Sequence, residues 1–427
     1  MLVKSGRLYS ALEDSVDILV ENGRIAVISA NIPESADMTV IDAAGLVVAP
    51  GLVDMHVHFR EPGFEYKEDI LSGAAAAAAG GVTTCCCMPN TSPVADNADV
   101  IAYIMDKAAG APIKVLPYGA VTVGQKGEEL SDFSALKTAG AIALSDDGNP
   151  VQNARQMYIA MQSAREQDML IISHCEDADM VRDFAVNEGK VSWELMLPGR
   201  PAIAEEIMVA RDAMLAAATG ARLHIAHVST ARSVDIIRKA KEAGVKITAE
   251  TCPQYFTITE DEVLTKEALA RVNPPLRTKE DVEAIILGLE DGTLDVIATD
   301  HAPHSAEEKA LPLTQAPSGM IGLETSLALA LTYLYHTEML GLEKIIELMS
   351  TNPARILGLD MERGDGTGSL AIGSVADIVV FDPDEEWTVR PEQFKSKARN
   401  TPFAGMKLRG RVKYTICGGK VVFGIRN

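Results

Sequence analysis

The sequence lacks the features of membrane, secreted and nucleic-acid-binding proteins. Its longest featureless apolar stretch, residues 74–79, is far too short to span a bilayer. Residues 1–7 contain no apolar block of the kind that forms a secretion signal. Lysine and arginine number 39 against 60 acidic residues, and the resulting net charge of −21 repels phosphate backbones. We therefore expect no membrane and no nucleic acid among the partners.

Cysteine is scarce and is not arranged as a disulfide framework. Three of the six cysteines, Cys85, Cys86 and Cys87, are consecutive. Adjacent cysteines on one strand cannot form a conventional disulfide, and nothing in the sequence indicates export. We expect the thiols to be reduced, small residues of the core, and the protein to be cytoplasmic.

Short β-rich apolar runs alternate with helix-like segments from about residue 50 to residue 360. Candidate strands lie at residues 51–59, 81–90, 113–122, 141–147, 169–176, 221–229, 246–254 and 294–301. Eight strand–helix units in series favour a closed (β/α)8 barrel over an open doubly wound sheet. We therefore predict an α/β protein with a TIM-type catalytic barrel over residues 50–368.

The two ends of the chain have a different pattern. Residues 1–49 and 369–427 carry short alternating strands separated by turns. We predict that both termini together form one small composite β-sandwich. Such a module would hold the barrel closed and need carry no chemistry.

Histidine and aspartate residues stand at the ends of several candidate strands. His56 and His58 are two residues apart, so they point to the same side of a β-strand. His174, His227 and Asp300 end the fifth, sixth and eighth candidate strands. Because chemistry in such barrels sits where the C-terminal strand ends meet, these potential ligands should converge there. The pattern indicates a site for transition-metal ions, with more than one metal.

The fourth candidate strand adds a carboxylate, because two divalent ions held close together need a bridging anion. Asp146 and Asp147 both qualify, and their side chains face opposite ways, so periodicity leaves the choice open. We favour Asp147, which is nearer the strand end; the alternative for either residue is a turn before Gly148. His224 lies three residues before His227 and faces the other side of its strand, so we expect it to be structural.

Asp300 can serve as more than a ligand. A carboxylate beside a metal can take a proton from water and return it to a leaving nitrogen. That chemistry suits hydrolysis or formation of an amide bond without a covalent intermediate. The sequence contains no convincing Ser/His/Asp or Cys/His nucleophile motif. We predict Asp300 as the catalytic acid and base.

Five motifs carry a family resemblance. They are GLVDMHVHFREPG at residues 51–63, MPNT at 88–91, NPPLR at 273–277, ATDHAPH at 298–304 followed by Lys309, and GLET at 322–325. These resemble the motifs of the dihydroorotases, in the longer bacterial type I branch of the amidohydrolase superfamily. The resemblance covers essentially the whole chain, including the β-sandwich split between the termini. The first motif is shared with hydantoinases and allantoinases, whereas the Asp-x-Ala-Pro-His-x4-Lys run is more specific.

The resemblance implies two Zn²⁺ per subunit. His56, His58 and Asp300 would hold one ion, His174 and His227 the other, and Asp147 would bridge them. The implied substrate-binding residues are His58, Arg60, Asn90, Asn273, His304, Ser318 and Gly319. Among these, Arg60, Asn90 and His304 would bind a ring carboxylate, which the rigid fork of arginine fits. The implied reaction is the reversible cyclisation of N-carbamoyl-L-aspartate to (S)-dihydroorotate plus water, in de novo pyrimidine biosynthesis.

One position departs from the pattern of many relatives, which bridge their metals with a carboxylated lysine on the fourth strand. Residues 141–147 contain no lysine, and the nearest one upstream is Lys137. The departure argues against a hydantoinase or an allantoinase. A shorter aspartate bridge also predicts weaker occupancy of the second zinc site.

Other interpretations remain open at this level. One alternative is a related cyclic amidase that acts on hydantoins, allantoin or dihydropyrimidines, rings that generally lack a carboxylate for Arg60 to bind. The alternative role for Arg60 itself is a surface salt bridge with Glu61 or Glu65. A non-catalytic amidohydrolase-fold scaffold would serve only as a binding partner. The resemblance also implies a homodimer and an association with aspartate transcarbamoylase. Residues 305–319 would form either a mobile lid or a static connection.

Overall fold

The computed structural model describes residues 1–182 and 184–425. The strands in this part of the chain are β1 Leu2–Leu8, β2 Ala11–Glu21, β3 Arg24–Ser29, β4 Val40–Asp42, β5 Val47–Pro50, β6 Leu52–Val57, β7 Val82–Cys87, β8 Lys114–Gly119, β9 Ala143–Ser145, β10 Leu170–Ser173, β11 Val186–Asn187, β12 Gly199–Arg200, β13 Arg222–Ile225, β14 Ile247–Thr251, β15 Val296–Ile297, β16 Ile378–Thr388, β17 Lys407–Cys417 and β18 Lys420–Gly424.

The α-helices between and around these strands are α1 Ile70–Ala79, α2 Ala98–Ala108, α3 Phe133–Ala139, α4 Ala154–Glu166, α5 Ala178–Val181, α6 Lys190–Glu194, α7 Ile203–Thr219, α8 Ala231–Glu242, α9 Gln254–Thr257, α10 Val263–Lys266, α11 Lys279–Glu290, α12 Ala306–Lys309, α13 Ser326–Ala330, α14 Leu342–Ile346 and α15 Asn352–Leu357. Turns of 3-10 helix lie at Val123–Gln125, Glu260–Glu262, Glu267–Ala270 and Pro391–Gln393, and π-helical turns at Leu331–Tyr335 and Glu347–Thr351.

Local sequence signals begin and end the barrel helices. The side chains of Asp69, Asn97 and Thr278 accept backbone hydrogen bonds in the first turns of α1, α2 and α11. α3 and α7 end at Gly140 and Gly220, whose φ angles of 116° and 70° are left-handed. Glycine adopts that conformation without a steric penalty, so the chain can turn directly into the next strand.

Parallel strands β6, β7, β8, β9, β10, β13, β14 and β15 form one sheet in chain order. A parallel bridge between Val57 and His301 joins the last strand to the first, and the His58 amide donates to the His301 carbonyl at 2.9 Å. The sheet is therefore a closed barrel with helices around it. This confirms the predicted (β/α)8 fold, and each observed strand lies within its predicted run.

The terminal segments form a second sheet, in which β5 joins the two ends of the chain. The strand order is β18-β17-β16-β5-β1-β2-β3, with β4 beside β1. Along β16 the side chains alternate between two cores. Val379 and Phe381 pack with the barrel helices, whereas Ile378 and Val380 pack with residues of β1 to β4. The division into domains at residues 49/50 and 368/369 stays a prediction.

The consecutive cysteines alternate in the same way on β7. Cys86 belongs to the cluster that fills the barrel interior with Met55 and Tyr118, whereas Cys85 and Cys87 face the surrounding helices. All three are buried and free of disulfides. Burial raises the pKa of each thiol, so they are inert packing residues. Over the described residues, none of the helices combines the length and the apolar character that a bilayer crossing requires.

Candidate active site

The predicted ligands lie together at the C-terminal ends of the barrel strands. His56 and the residue after β6, His58, project to one side as the two-residue spacing requires. Asp147, His174, His227 and Asp300 follow β9, β10, β13 and β15 within three residues. All six side chains are buried, with at most 6% of any residue exposed. The barrel thus brings together residues up to 244 positions apart in the chain.

Asp147 lies between two pairs of histidines. Its Oδ1 is 3.5 Å from His56 Nε2 and 3.3 Å from both His174 Nδ1 and His227 Nε2. Its Oδ2 is 3.5 Å from His58 Nε2. Two groups of potential metal ligands consequently share this one carboxylate, and in each group the ligand atoms lie within 4.8 Å of one another.

Asp146 points away from this cluster. Its carboxylate accepts hydrogen bonds from the amides of Val121 and Thr122 at 2.8 and 3.2 Å and from the Thr122 hydroxyl at 2.5 Å. These bonds tie the end of β9 to the segment after β8. Of the two aspartates between which periodicity could not choose, Asp147 is therefore the one beside the histidines.

Asp300 lies on the side of the cluster that holds His56 and His58. Its Oδ1 is 3.0 Å from His58 Nε2 and 3.4 Å from His56 Nε2. Asp300, His227 and Arg60 all have positive φ angles, of 48°, 33° and 62°. Such strain in residues other than glycine costs of the order of 1–3 kcal/mol each, and it is concentrated in functional sites.

The donor set fits a divalent cation. His56 Nε2 and His227 Nδ1 are buried and have no hydrogen-bond partner within the described residues. Burial lowers the pKa of His56, but the charges of Asp147 and Glu250 outweigh it and raise that pKa well above its usual value. Despite burial, hydrogen bonds to Asp147 and Glu176 raise the pKa of His174 to about 10. The cluster therefore favours positive charge, which a metal ion would supply in place of protons.

Glu250, on β14, is a residue that sequence reasoning missed. Its Oε1 is 2.6 Å from His56 Nδ1, and its Oε2 is 3.3 Å from His224 Nε2. The contact fixes the His56 tautomer with Nε2 toward Asp147. The same carboxylate holds the ring of His224, whose Nδ1 contacts the Thr248 hydroxyl at 2.8 Å. The available signal was a carboxylate inside the candidate strand at residues 246–254.

A cavity of about 180 Å³ opens beside the cluster. Every predicted substrate-binding residue lines it: His58, Arg60, Asn90, Asn273, His304, Ser318 and Gly319. Arg60 donates from Nε to the Pro303 carbonyl at 3.2 Å. Glu61 and Glu65 have other partners, namely the Ile70 and Gly63 amides, so the surface ion pair does not form.

Neutral and charged donors surround this cavity. Burial, together with the charges of Arg60, Lys67 and Lys309, lowers the pKa of His304 to about 2, so its ring is neutral. The His304 Nε2–H donates to the Ser318 carbonyl at 2.8 Å. Asn90 accepts from His58 Nδ1 at 3.0 Å, which turns His58 Nε2 toward Asp300.

Asn273 is held by a polar network that the sequence did not reveal. Its Nδ2 is 3.4 Å from Glu176 Oε1, and its Oδ1 accepts from Arg200 Nη1. Arg200 also pairs with Glu176 at 2.9 Å. Burial notwithstanding, His174 and Arg200 lower the pKa of Glu176 to about 2.

Comparison with known proteins identifies the family. Residues 45–233 match a family profile described as Dihydro-orotase-like. A protein named Dihydroorotase from Ruminiclostridium cellulolyticum is 50% identical over 99% of this chain and 98% of its own length. Its counterpart from Clostridioides difficile is 48% identical, with 99% of each chain covered. This chain belongs to the dihydroorotase family.

Membership of the dihydroorotase family makes the chain an enzyme of the cyclic amidohydrolase class. The crystal structure of an L-hydantoinase (dihydropyrimidinase) from Arthrobacter aurescens shares its fold, with a TM-score of 0.87 and 27% identity. That likeness covers 99% of this chain and 96% of the hydantoinase chain. It agrees with the closed barrel and the accompanying terminal sheet.

The fourth barrel strand of this dihydroorotase-family member offers no lysine at its C-terminal end. β9 ends in Ser145 and carries no lysine. Lys137 lies on α3, where its ammonium donates to the Gln167 carbonyl at the protein surface. No lysine among the described residues lines the cavity. Asp147 is the carboxylate available at that place.

Proposed function

We propose that the chain is a dihydroorotase that catalyses the reversible cyclisation of N-carbamoyl-L-aspartate to (S)-dihydroorotate plus water in pyrimidine biosynthesis. The observation that carries the proposal is one cavity that combines Arg60 with a histidine cluster around Asp147. Arg60 would bind the carboxylate of the ring, and the histidine cluster would hold the metal that cleavage of the ring amide needs. The full-length relatives named Dihydroorotase support the same reaction.

We infer two Zn²⁺ per subunit. His56, His58 and Asp300 would hold one and His174 and His227 the other, with Asp147 shared and the second site weaker. Nitrogen and carboxylate ligands in this number suit zinc. Bound zinc supplies a Lewis acid that polarises a carbonyl and makes water a better nucleophile at neutral pH.

Asp300 would transfer the proton. In the ring-opening direction a water molecule adds its oxygen to the ring carbonyl carbon and loses a proton to the Asp300 carboxylate. Asp300 then gives this proton to the ring nitrogen as the carbon–nitrogen bond breaks. In the cyclising direction Asp300 takes the proton from the ureido nitrogen as it attacks the protonated side-chain carboxyl, and gives that proton to the departing hydroxyl, which leaves as water.

The substrate would be held by its carboxylate and by its ring. Arg60, Asn90 and His304 would bind the ring carboxylate, with His58 beside them. The one N–H of the neutral His304 ring, at Nε2, would turn from the Ser318 carbonyl to the substrate carboxylate, and Arg60 supplies the charge. Asn273 and the backbone of Ser318 and Gly319 would contact the ring itself.

The test is turnover of dihydroorotate by the purified protein, paired with elemental metal analysis. Arg60→Met should lower kcat/KM for dihydroorotate about a hundredfold, because a buried charge-assisted pair is lost. Its rate on dihydrouracil, which has no carboxylate, should not fall. Arg222→Met is the matched control, since Arg222 is half-buried at the start of β13, where it donates to the Ile356 carbonyl and pairs with Asp168 at 3.8 Å, away from the cavity.

A related cyclic amidase is the second candidate, because the hydantoinase structure has the same fold. A wild-type preference for dihydrouracil or hydantoin over dihydroorotate would favour it. A protein without bound zinc and without activity after zinc is added would instead be a scaffold. We further propose a homodimer, an association with aspartate transcarbamoylase and a cytoplasmic location, which size measurement, co-purification and fractionation would test.

A further inference from the structure

A short segment from the C-terminal part of the chain packs against two segments that line the active-site cavity. We call residues 395–400 the strap. Glu324 Oε1 accepts hydrogen bonds from the amides of Lys395 and Ser396 at 2.8 and 3.1 Å. Glu68 accepts from the Ser396 hydroxyl and from the Lys397 amide. Two buried or nearly buried carboxylates of the barrel therefore fix the strap in place.

Asn400 ends the strap and uses every hydrogen-bonding group of its side chain. Its Nδ2 donates to the carbonyls of Ala302 and Gly319, both at 3.1 Å. Its Oδ1 accepts from the amide of His304 at 3.1 Å. The backbone carbonyl of Asn400 also accepts from Ile321 at 2.9 Å. Asn400 is only 3% exposed, so these groups would otherwise be buried without partners.

The two chain segments that Asn400 joins both line the cavity. The last backbone hydrogen bond between the two segments runs from the Ala302 amide to the Met320 carbonyl at 2.8 Å. The carbonyls of Ala302 and Gly319 instead accept from the Asn400 side chain. One primary amide offers two N–H donors and one acceptor, which is the set these segments require. An aspartate, serine or leucine at this place would leave at least one carbonyl without a donor.

The spacing between the segments determines where the His304 ring lies. Gly319 has a φ of 133°, and a Cβ there would be 2.7 Å from the Ala302 Cβ and 3.1 Å from His304 Nε2. The His304 ring is therefore held directly against the Ser318–Gly319 backbone by the two segments that the Asn400 side chain joins. Loss of the Asn400 hydrogen bonds would let the two segments separate and the ring move.

We propose that Asn400 is a positioning residue for recognition of the substrate carboxylate. It acts through the backbone of residues 302–304 and 319, and it sets the distance between the His304 ring and the Ser318–Gly319 backbone. The inference rests on the proposed function, in which His304 binds the ring carboxylate. It also gives the C-terminal segment a part in specificity.

The test compares steady-state kinetics of Asn400→Ala and Asn400→Asp with the wild type on dihydroorotate. Each variant should raise KM about tenfold and change kcat less than about threefold, since carboxylate binding is loosened while Asp300 is untouched. Asn352→Ala is the matched control. Asn352 is buried and donates to the Asp295 carbonyl at 2.9 Å at the opposite end of the barrel, so its loss should lower the Tm but leave KM unchanged.

A double-mutant cycle separates positioning from general destabilisation. In a His304→Ala background, Asn400→Ala should alter KM less than about twofold, because the ring that it positions is absent. Additive effects, or an unchanged KM in the single variants, would overturn the inference. If Asn400→Ala does not fold, Asn400→Asp keeps the side-chain size and the acceptor for His304. Absence of wild-type turnover would instead remove the proposed function, and this inference with it.

Discussion

Substitution of Glu250 provides the sharpest test of how the histidine cluster is held. Glu250 is fully buried, and its carboxylate contacts His56 Nδ1 at 2.6 Å and His224 Nε2 at 3.3 Å. Although burial opposes ionisation, His56 and His224 hold the pKa of Glu250 well below its usual range. The side chain is therefore a carboxylate that accepts a charge-assisted hydrogen bond from His56.

Glu250→Gln keeps the shape and one acceptor but removes the charge. A hydrogen bond to a charged group contributes about 1.5–3 kcal/mol, against about 0.5–1.5 kcal/mol for a neutral one. The difference of about 1.4 kcal/mol corresponds to a tenfold loss of zinc affinity. Glu250→Ala removes the acceptor as well, and the loss should approach a hundredfold.

The assay is equilibrium competition for zinc between the metal-free protein and a chelator of known affinity. Glu205→Gln is the control, because Glu205 is a buried carboxylate that accepts from the amides of Ser229 and Thr230 and contacts none of the predicted ligands. It should lower the Tm without altering zinc affinity. Equal zinc affinities for Glu250→Gln and the wild type would refute the reasoning.

Two further predictions concern the acid–base residue and a buried carboxyl. Asp300→Asn should lower kcat by about 10²–10⁴ with an unchanged circular dichroism spectrum, and a near wild-type rate would contradict its role. Burial raises the pKa of Glu324 from 4.5 to about 7. Folding then binds an extra proton, so this stabilising contribution is complete below pH 4.5 and is lost as the pH rises through 7. The change from 4.5 to about 7 corresponds to about 3 kcal/mol, so Glu324→Gln, which keeps the acceptor, should be more stable than the wild type by about that amount at pH 8 but not at pH 5. Exposed Glu283→Gln is the control. An equal difference in unfolding free energy between Glu324→Gln and the wild type at both pH values would contradict this.

The sequence was sufficient to predict the barrel and the cluster because both depend on short-range patterns. Strand–helix alternation predicts the order of elements, and barrel closure then brings every strand end to one face. A residue such as His227 could therefore be predicted as a metal ligand from its position at the end of a candidate strand. Periodicity could not decide between Asp146 and Asp147, because the choice depends on which side of β9 faces the barrel axis. The sequence favours Asp147 only because it is nearer the strand end.

Residues that act on the site from a distance in the chain escaped sequence reasoning. Asn400 lies 96 residues from His304, and Arg200 lies 73 residues from Asn273. Neither has a distinctive local pattern, since asparagine and arginine are common in surface loops. Only the assembled fold shows that Asn400 is buried between two cavity-lining segments. The terminal part of the chain, which we expected to hold the barrel closed without carrying chemistry, thus contacts segments that line the cavity.

The strong negative charge of the chain is compatible with an anionic substrate, because the exposed surface charges and the cations beside the cavity act on the substrate over different distances. Charges on the exposed surface are screened within about 8 Å at physiological ionic strength. Arg60 is partly buried in the cavity wall, where an opposite charge is screened less than on the open surface. A carboxylate that enters the cavity therefore responds mainly to Arg60 and to the neighbouring Lys67, whose ammonium is 3.3 Å from His304 Nδ1. The net charge of −21 disfavours polyanionic partners, whereas we expect the choice of substrate to depend on these two partly buried cations.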